Sequence, residues 1–434
     1  MVTDGYNRRA IFWICVLALF TAALSFSLRT GASGAIKAAL LDPVAPARSG
    51  EMIAAVLGYS FLGFALSLLV ISPLLDVIGA RRVILLASAC FILGPILIIA
   101  APLAGGIDAV YGLLSIGMVV CGIGWGATEA SINPVTASLY PDDKTHRLNV
   151  LHAWWPAGLV IGGLASLVLF ANLGLGWQAL IALICVPGAA FGLWALTQQF
   201  PKTESTNLGV PFKDMFLEPF RRPGFWIFPS IMILTASAEL APGSWVDIAL
   251  TQTVGMPGIV VLVYVSAIMF VMRHFAGALD RRFSDMGLLC MSTVPAAIGL
   301  YGLAIANSPV TALVAATLWA FGVCYMWPTM LAAAARRYPR SGPWGIGILG
   351  FAAAMAIYFV LPELGKIYDA AKLEKAGGEA AFAALKPGPE LQQVVAHAAE
   401  QSFQVIAIIP AVLFVIFGAV VLAERAARKR GGGS

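Results

Sequence analysis

Glu129 and Glu239 are the acidic residues that lie nearest the middle of long apolar segments in this sequence. An ionisable side chain at the centre of a lipid bilayer costs about 2.5 to 3.5 kcal/mol, so each of them needs a functional or structural reason. A buried carboxyl group can alternate between a charged and a neutral form by exchanging a proton. Both residues are therefore candidates for proton coupling, with buried ion pairs that only hold helices together as the structural alternative.

The residues around Glu129 extend this candidate site. Asn133 follows four residues later and shares its helix face, and Gly122 and Gly126 continue that face with small residues that let a helix or a ligand approach. His152 titrates near neutral pH, so it is predicted to bind a proton or to hydrogen-bond a hydroxyl group, with a structural histidine as the alternative.

A substrate would need hydrogen-bonding groups together with aromatic faces, and polar and tryptophan residues of the apolar segments can supply both. The candidates for substrate binding are Arg29, Asn133, Asn149, His152, Trp154, Trp155, Glu239, Trp245 and Trp327. Trp154 and Trp155 are adjacent, so they cannot both face one cavity. Tryptophan is also common at membrane interfaces, which is the alternative role for this group.

The composition places these residues in a membrane protein. Of the 434 residues, 60% are hydrophobic and 11% are charged, compared with about 25% charged residues in a soluble domain. The net charge of +5 comes from basic residues that flank apolar segments, so no nucleic-acid-binding face is predicted. The six cysteines lie in apolar segments without metal-ligand spacing, and no HExxH, GxSxG or Walker A motif occurs. Neither an enzyme nor a metal or cofactor site is expected.

About twelve apolar segments can each cross a bilayer as a helix of about 20 residues. The sequence thus predicts an all-α membrane protein with six spans on each side of a polar linker. The predicted spans are 11–36, 51–76, 83–104, 109–139, 149–171, 177–198, 224–250, 257–279, 286–306, 309–336, 343–363 and 402–424. This gives an N-terminal six-helix bundle (1–198), a cytoplasmic linker (199–222) and a C-terminal six-helix bundle (223–430). Residues 431–434 are typical of an appended linker, and residues 366–400 can form a short helix outside the membrane.

The positive-inside rule orients these spans. With both termini in the cytoplasm, most of the 27 Lys and Arg residues fall in cytoplasmic loops. The sequence predicts a multi-pass protein of the bacterial inner (plasma) membrane, embedded in the lipid bilayer as a monomer.

Two patterns recur at matching places in the two halves, which indicates an internal repeat. Ser72-Pro-Leu-Leu-Asp76-Val-Ile-Gly79-Ala-Arg81-Arg82 follows the second span, and Gly277-Ala-Leu-Asp280-Arg281-Arg282 follows the eighth. The fourth and tenth spans share a mid-helix proline and a Tyr-Pro exit, at Pro134 with Tyr140-Pro141 and at Pro328 with Tyr338-Pro339. Such a proline can free a carbonyl in mid-membrane or simply kink the helix.

The first of these patterns resembles the signature of the major facilitator superfamily of transporters. The resemblance implies two pseudo-symmetric six-helix bundles and a latch between them on the cytoplasmic side. The latch residues would be Asp76, Gly79, Arg81, Arg82, Asp280 and Arg281, with charge capped by a turn as the plainer interpretation. In that superfamily, spans 1, 4, 7 and 10 line the central cavity, and Arg29, Glu129, Glu239 and Trp327 fall one on each.

A narrower resemblance concerns the fourth and fifth spans. Glu129-Ala-Ser-Ile-Asn133-Pro134 and Arg147-Leu148-Asn149-Val-Leu-His152 are similar to motifs of the fucose permease branch, the fucose/galactose/glucose proton symporters. The resemblance implies proton-coupled symport of a monosaccharide, with Glu129 near the substrate. This chain departs from the branch in lacking an acidic residue on the first span and in having His152 where glutamine is common.

The sequence therefore predicts a secondary active transporter that carries a monosaccharide or related polyol with a proton by alternating access. Arg29 supports an alternative cargo, a sugar acid or other organic anion, because a buried guanidinium pairs well with a carboxylate. A minor alternative is a membrane receptor that does not transport.

Overall fold

The structure, a computed structural model, describes residues 6–140, 144–202, 211–251, 253–273 and 283–431, with backbone only at some positions. The described residues form helices joined by turns and loops, without strands. Eleven of the described helices are long and apolar enough to cross a membrane, and Ile259–Arg273 is apolar but shorter. The predicted all-α class is thus confirmed.

We number the spans 1 to 12 along the chain. Their helices are Arg8–Ile36, Ser49–Ile78, Ala80–Ala100, Ile107–Leu139, Lys144–Leu167, Trp177–Leu183 with Cys185–Leu196, Ile227–Leu250, Ile259–Arg273, Asp285–Ala304, Pro309–Val323 with Met326–Arg337, Gly342–Ala376 and Pro389–Gly431. Because spans alternate in direction, the start of span 1 and the end of span 12 lie on the same face. We call it the terminal face and its counterpart the opposite face.

These segments are helical because a helix satisfies every backbone polar group within one segment, which lipid requires. Span 1 starts where Asn7 accepts a hydrogen bond from the Ala10 amide at 3.0 Å. Large apolar side chains such as Val77 and Phe359 stay more than half exposed, as expected for surfaces that face lipid.

Spans 11 and 12 are longer than predicted. Span 11 continues from the expected end near residue 363 to Ala376, and span 12 starts at Pro389 instead of near residue 402. Hydropathy misses these extensions because they carry charged residues, two of which, Asp369 and Lys372, are buried as an ion pair. A short helix, Glu379–Ala384, lies between the two spans, as expected.

The predicted linker is partly helical, since residues Phe212–Arg221 form a short helix. Its Phe216 ring stacks on Trp344 near the start of span 11, with ring centroids 5.1 Å apart. The described part of the linker therefore packs against the second half of the chain.

The two halves meet in two places that match each other in the repeat. Span 2 packs along span 11, and span 5 packs along span 8. Within the first half, span 4 packs closely on span 2, because a Cβ atom on Gly122 would overlap the Ser60 carbonyl and one on Gly126 would overlap Phe64. The expectation of close helix approach at these two glycines is confirmed.

The halves are also joined at the opposite face. Asp369 of span 11 accepts a hydrogen bond from the Glu51 amide at 2.7 Å, in the first turn of span 2. Lys372 binds Asp369 at 2.6 Å and donates to the Pro46 carbonyl at 3.1 Å. Asp369 therefore acts as a helix cap supplied by the other half of the chain.

Candidate functional site

Spans 4 and 5 hold a chain of three polar side chains. The Asn133 amide nitrogen lies 3.3 Å from Glu129 Oε2 and 3.3 Å from the Glu129 carbonyl oxygen. His152 Nε2 lies 2.8 Å from Asn133 Oδ1. Because Asn133 donates to Glu129, its oxygen accepts from His152, so His152 carries its proton on Nε2 and leaves Nδ1 free to accept one. The three predicted residues therefore form one connected network.

Helix geometry builds this network. Glu129 and Asn133 are four residues apart on span 4, which places them on one face, and span 5 supplies His152 from the neighbouring helix. All three side chains are only partly buried, so they border space that a ligand or water can reach. Asn149 lies three residues before His152 on span 5, and its side chain lies outside the described part of the chain.

No cation pairs with Glu129 among the ion pairs of the described residues. Its described hydrogen bonds come from a neutral amide. Protonation of Glu129 therefore breaks no salt bridge in this part of the structure. A carboxyl group held this way can exchange a proton without first losing a charged partner.

An aromatic stack lies beside the network. The Trp125 ring stacks on Phe64 at 4.1 Å and on Trp155 at 5.0 Å, which joins spans 2, 4 and 5. Trp125 is one helical turn before Glu129, and its buried Nε1 lies near the Glu129 carboxyl group without forming a hydrogen bond of ordinary geometry with the described residues. An indole N–H without an acceptor is a group that a bound hydroxyl can satisfy.

Of the other predicted tryptophans, Trp154 and Trp245 pack against neighbouring helices, and Trp327 is partly exposed. Trp154 packs edge-on against Trp13 and Phe20 of span 1. Trp245 is fully buried and donates from Nε1 to Ser402 of span 12 at 3.3 Å, so it packs within the second half. Trp327 is partly buried at the start of the second helix of span 10.

Glu239 belongs to a second polar cluster, formed by spans 7, 8 and 10. Its Oε1 lies 3.5 Å from Arg273 Nη2 of span 8, whereas its Oε2 is buried and makes no hydrogen bond with the described residues. Arg273 Nε also donates to the Cys324 carbonyl of span 10 at 3.2 Å. Arg273 therefore contacts span 7 and span 10 at once.

Arg29 forms an ion pair with neither Glu129 nor Glu239 in the described part of the chain, and its described contacts lie within the first half. Its Nε donates to the Ser25 carbonyl at 3.0 Å, and its Nη1 lies 3.6 Å from the Met118 sulfur. Met118 precedes Glu129 by eleven residues on span 4, which is about 16 Å along the helix. Arg29 is 2% exposed, and the ion pairs within the described ranges do not include it.

The predicted latch is only partly described. Gly79 separates spans 2 and 3 with φ of +89°, a backbone conformation that favours glycine. Arg81 donates to the Leu196 carbonyl at the end of span 6, within the same half, and Arg82 is exposed. The side chain of Asp76, and both Asp280 and Arg281, lie outside the described residues.

Two residues of these clusters, Trp125 and Arg273, were not among the site residues predicted from the sequence. Trp125 could have been found from helical spacing, because it shares the face of Glu129 four residues away. The Arg273–Glu239 pair could have been found from the high cost of two unpaired charges in the membrane. No group of three or more metal-ligating side chains occurs in the part of the chain that was searched.

Comparisons with known proteins agree with this architecture. The sequence model of the Major Facilitator Superfamily matches residues 15–362. No curated protein sequence matches the chain. Among solved structures, the xylose transporter XylE from E. coli, in a partially occluded inward open conformation, has a TM-score of 0.74 at 12% identity, covering 95% of this chain and 97% of that chain.

Two further structures show the same fold. A bacterial homolog of the human lysosomal transporter Spinster has a TM-score of 0.71 at 16% identity, covering 96% of this chain and 97% of that chain. The E. coli fucose:proton symporter FucP has a TM-score of 0.59 at 17% identity, covering 94% of this chain and 97% of that chain. At these identities the likeness establishes the fold, and the substrates of those proteins are not carried over.

Proposed function

The chain belongs to the Major Facilitator Superfamily of membrane transporters, and on that premise we propose that it carries a neutral monosaccharide or related polyol together with a proton. The observation that carries the proposal is the network of Glu129, Asn133 and His152. It joins a carboxyl group that has no cationic partner among the described residues to two side chains that can bind hydroxyl groups.

The proton-coupling part rests on the charge balance of this network. A charged carboxylate without a cation is costly to enclose in a low-dielectric site, and a neutral carboxyl group is much cheaper. Protonated Glu129 therefore favours closure of the cavity around it, whereas ionised Glu129 favours contact with water. This difference couples proton binding to alternating access.

The choice of a neutral cargo rests on the groups beside Glu129. Asn133 and His152 offer a donor and an acceptor at short range, and the Trp125 indole N–H beside Glu129 has no hydrogen bond of ordinary geometry with the described residues. The ring stack of Trp125 and Trp155 offers apolar surface next to them. Sugars need this combination, because they present hydroxyl groups at their edges and C–H groups on their faces.

Alternating access requires that one face closes while the other opens. The contacts of Asp369 and Lys372 with span 2 and its preceding loop close the opposite face in this structure. With the terminal face in the cytoplasm, as the basic residues predict, this conformation is closed toward the outside of the cell. Asp76, Arg81 and Arg82, together with Asp280 and Arg281, would form the latch that closes the cytoplasmic side in the other conformation.

Arg29 favours a second candidate, transport of an organic anion. A buried guanidinium without a carboxylate partner is a natural counter-charge for an anionic substrate. Its distance from the Glu129 network means that the two candidates place the substrate at different depths of the first half. Substitution of either residue therefore separates them.

The test is uptake into proteoliposomes of labelled monosaccharides and sugar acids, with and without an inward proton gradient. The variants are Glu129→Gln and Arg29→Gln, with Glu363→Gln as the control because Glu363 is exposed and pairs with exposed Lys366. We expect gradient-driven sugar accumulation that Glu129→Gln abolishes, with sugar exchange retained. Accumulation of sugar acids but not sugars, lost in Arg29→Gln, would instead establish the anion transporter.

A further inference from the structure

Span 10 is interrupted near its middle. Its first helix ends at Val323 and its second begins at Met326, with Cys324 and Tyr325 between them. Pro328 explains the break, because it has no amide hydrogen to donate to the carbonyl four residues earlier. That carbonyl belongs to Cys324, so the span contains a backbone acceptor that its own helix does not satisfy.

Arg273 of span 8 satisfies this acceptor. Its Nε donates to the Cys324 carbonyl at 3.2 Å, and the Tyr325 hydroxyl donates back to the Met272 carbonyl at 3.0 Å. Two hydrogen bonds therefore connect the break of span 10 to the end of span 8. One of them depends on the guanidinium.

The same guanidinium holds Glu239 of span 7, with Nη2 at 3.5 Å from Oε1. Arg273 thus binds a carbonyl and a carboxylate at once, using the fixed fork of its N–H groups. Arg273 consequently links spans 7, 8 and 10 through one side chain, beside other contacts such as the bond from Trp319 Nε1 of span 10 to the Ala238 carbonyl of span 7 at 3.1 Å.

We propose that Arg273 is a positioning residue of the transport cycle, which holds the bend of span 10 in place for as long as Glu239 is charged. When Glu239 is neutral, the guanidinium loses the carboxylate that orients it, and the Cys324 carbonyl loses its fixed donor. Span 10 then changes its bend. This inference rests on the proposed proton-coupled transport and assigns the second half of the chain its part in it.

A second substitution, at Pro328, provides a way to distinguish a positioning role of Arg273 from simple support of the helix. Arg273→Met removes both contacts and leaves the Cys324 carbonyl without a donor. Pro328→Ala adds a backbone N–H that can bind this carbonyl within span 10. The double variant therefore restores the support of the break while Glu239 stays without its partner.

The experiment measures three properties of Arg273→Met, Pro328→Ala, their combination and Glu239→Gln. They are amide hydrogen exchange of the peptide that covers residues 320–332, thermal unfolding in detergent, and the ratio of proton-driven accumulation to sugar exchange. Lys366→Met is the control, because Lys366 forms an exposed pair with Glu363.

We expect Arg273→Met and Glu239→Gln to speed amide exchange in this peptide by about tenfold, the ratio for the loss of one hydrogen bond to a charged group. The combination with Pro328→Ala should recover protection and thermal stability but not accumulation. Recovery of accumulation as well would overturn the proposal, because Arg273 would then only support the helix. Unchanged amide exchange in Glu239→Gln would also overturn it.

These outcomes are distinct from a failure of the proposed function. If the wild-type protein accumulates no sugar, the proton-symport proposal fails. The amide exchange of Glu239→Gln still reports whether the charge of Glu239 controls span 10, because it requires no substrate.

Discussion

The two halves of the chain place a carboxyl group in the membrane in different ways. In the first half, Glu129 is held by the neutral Asn133 amide, and His152 completes the network. In the second half, Glu239 faces the Arg273 guanidinium, which also binds a broken helix. Both carboxyl groups lie on spans that line the central cavity of the superfamily fold, yet within the described part of the chain only Glu239 has a cation for a partner.

This difference indicates that the two carboxyl groups have different roles. A carboxyl group held by neutral hydrogen bonds can change its charge without breaking an ion pair, which suits proton binding. A carboxylate held by a guanidinium fixes the geometry of the helices that supply both groups. Pro134 of span 4 and Pro328 of span 10 occupy matching places in the two halves, whereas the polar contacts around them differ.

The largest expected effect compares the stability of Glu239→Ala with that of Glu129→Ala. Glu239→Ala leaves Arg273 without its carboxylate in the membrane, and we expect a loss of about 3 kcal/mol in the free energy of unfolding. Glu129→Ala removes one hydrogen bond between side chains and should cost about 1 kcal/mol. Unfolding followed by circular dichroism in detergent measures both.

Glu363→Ala is the matched control for this comparison, since its carboxylate lies in an exposed pair and should leave the unfolding curve unchanged. Equal losses for Glu129→Ala and Glu239→Ala would contradict the distinction between the two halves. They would mean that Glu129 also depends on a charged partner.

A smaller effect tests whether the first-half network acts as a unit. We expect Asn133→Ala and His152→Ala to be non-additive in a double-mutant cycle, with a coupling energy of about 1 kcal/mol, because the two side chains are hydrogen-bonded at 2.8 Å. The same cycle with Asn133→Ala and Trp154→Phe should be additive, since Trp154 packs on span 1. Additivity in both cycles would show that the contact between Asn133 and His152 contributes nothing to stability.

The helices were predictable because their signal is strong and local. An apolar run of about 20 residues predicts a span, and the grouping of Glu129 with Asn133 follows from four-residue spacing within one helix. Contacts between distant segments carry no signal of this local kind, although the cost of unpaired charges in the membrane favours a partner for Arg273 and for Glu239. The pairing of Arg273 with Glu239, and that of Asp369 with span 2, depend on how helices from different parts of the sequence meet.

The tryptophans show the same limit. Trp154, Trp155, Trp245 and Trp327 were equivalent as sequence candidates, because each combines an aromatic ring with a donor. The structure places Trp245 in the interior of the second half and Trp154 against span 1, whereas Trp155 stacks on Trp125 beside Glu129. The direction in which a ring points depends on tertiary packing, and composition carries no information on it.

The smallest expected effect compares the two prolines themselves. Span 4 runs as one helix from Ile107 to Leu139 through Pro134, whereas span 10 is interrupted before Pro328. Pro134→Ala gains a helical hydrogen bond of about 1 kcal/mol and loses a similar amount through the freer unfolded chain, so its free energy of unfolding should stay nearly unchanged.

Pro328→Ala gains the same bond, but the new N–H displaces Arg273 from the Cys324 carbonyl and so removes a stronger, charge-assisted contact. We expect a net loss of about 1 kcal/mol. Unfolding curves of the two variants, measured side by side, test this comparison. A loss in Pro134→Ala as large as that in Pro328→Ala would show that Arg273 gives the break in span 10 no special support.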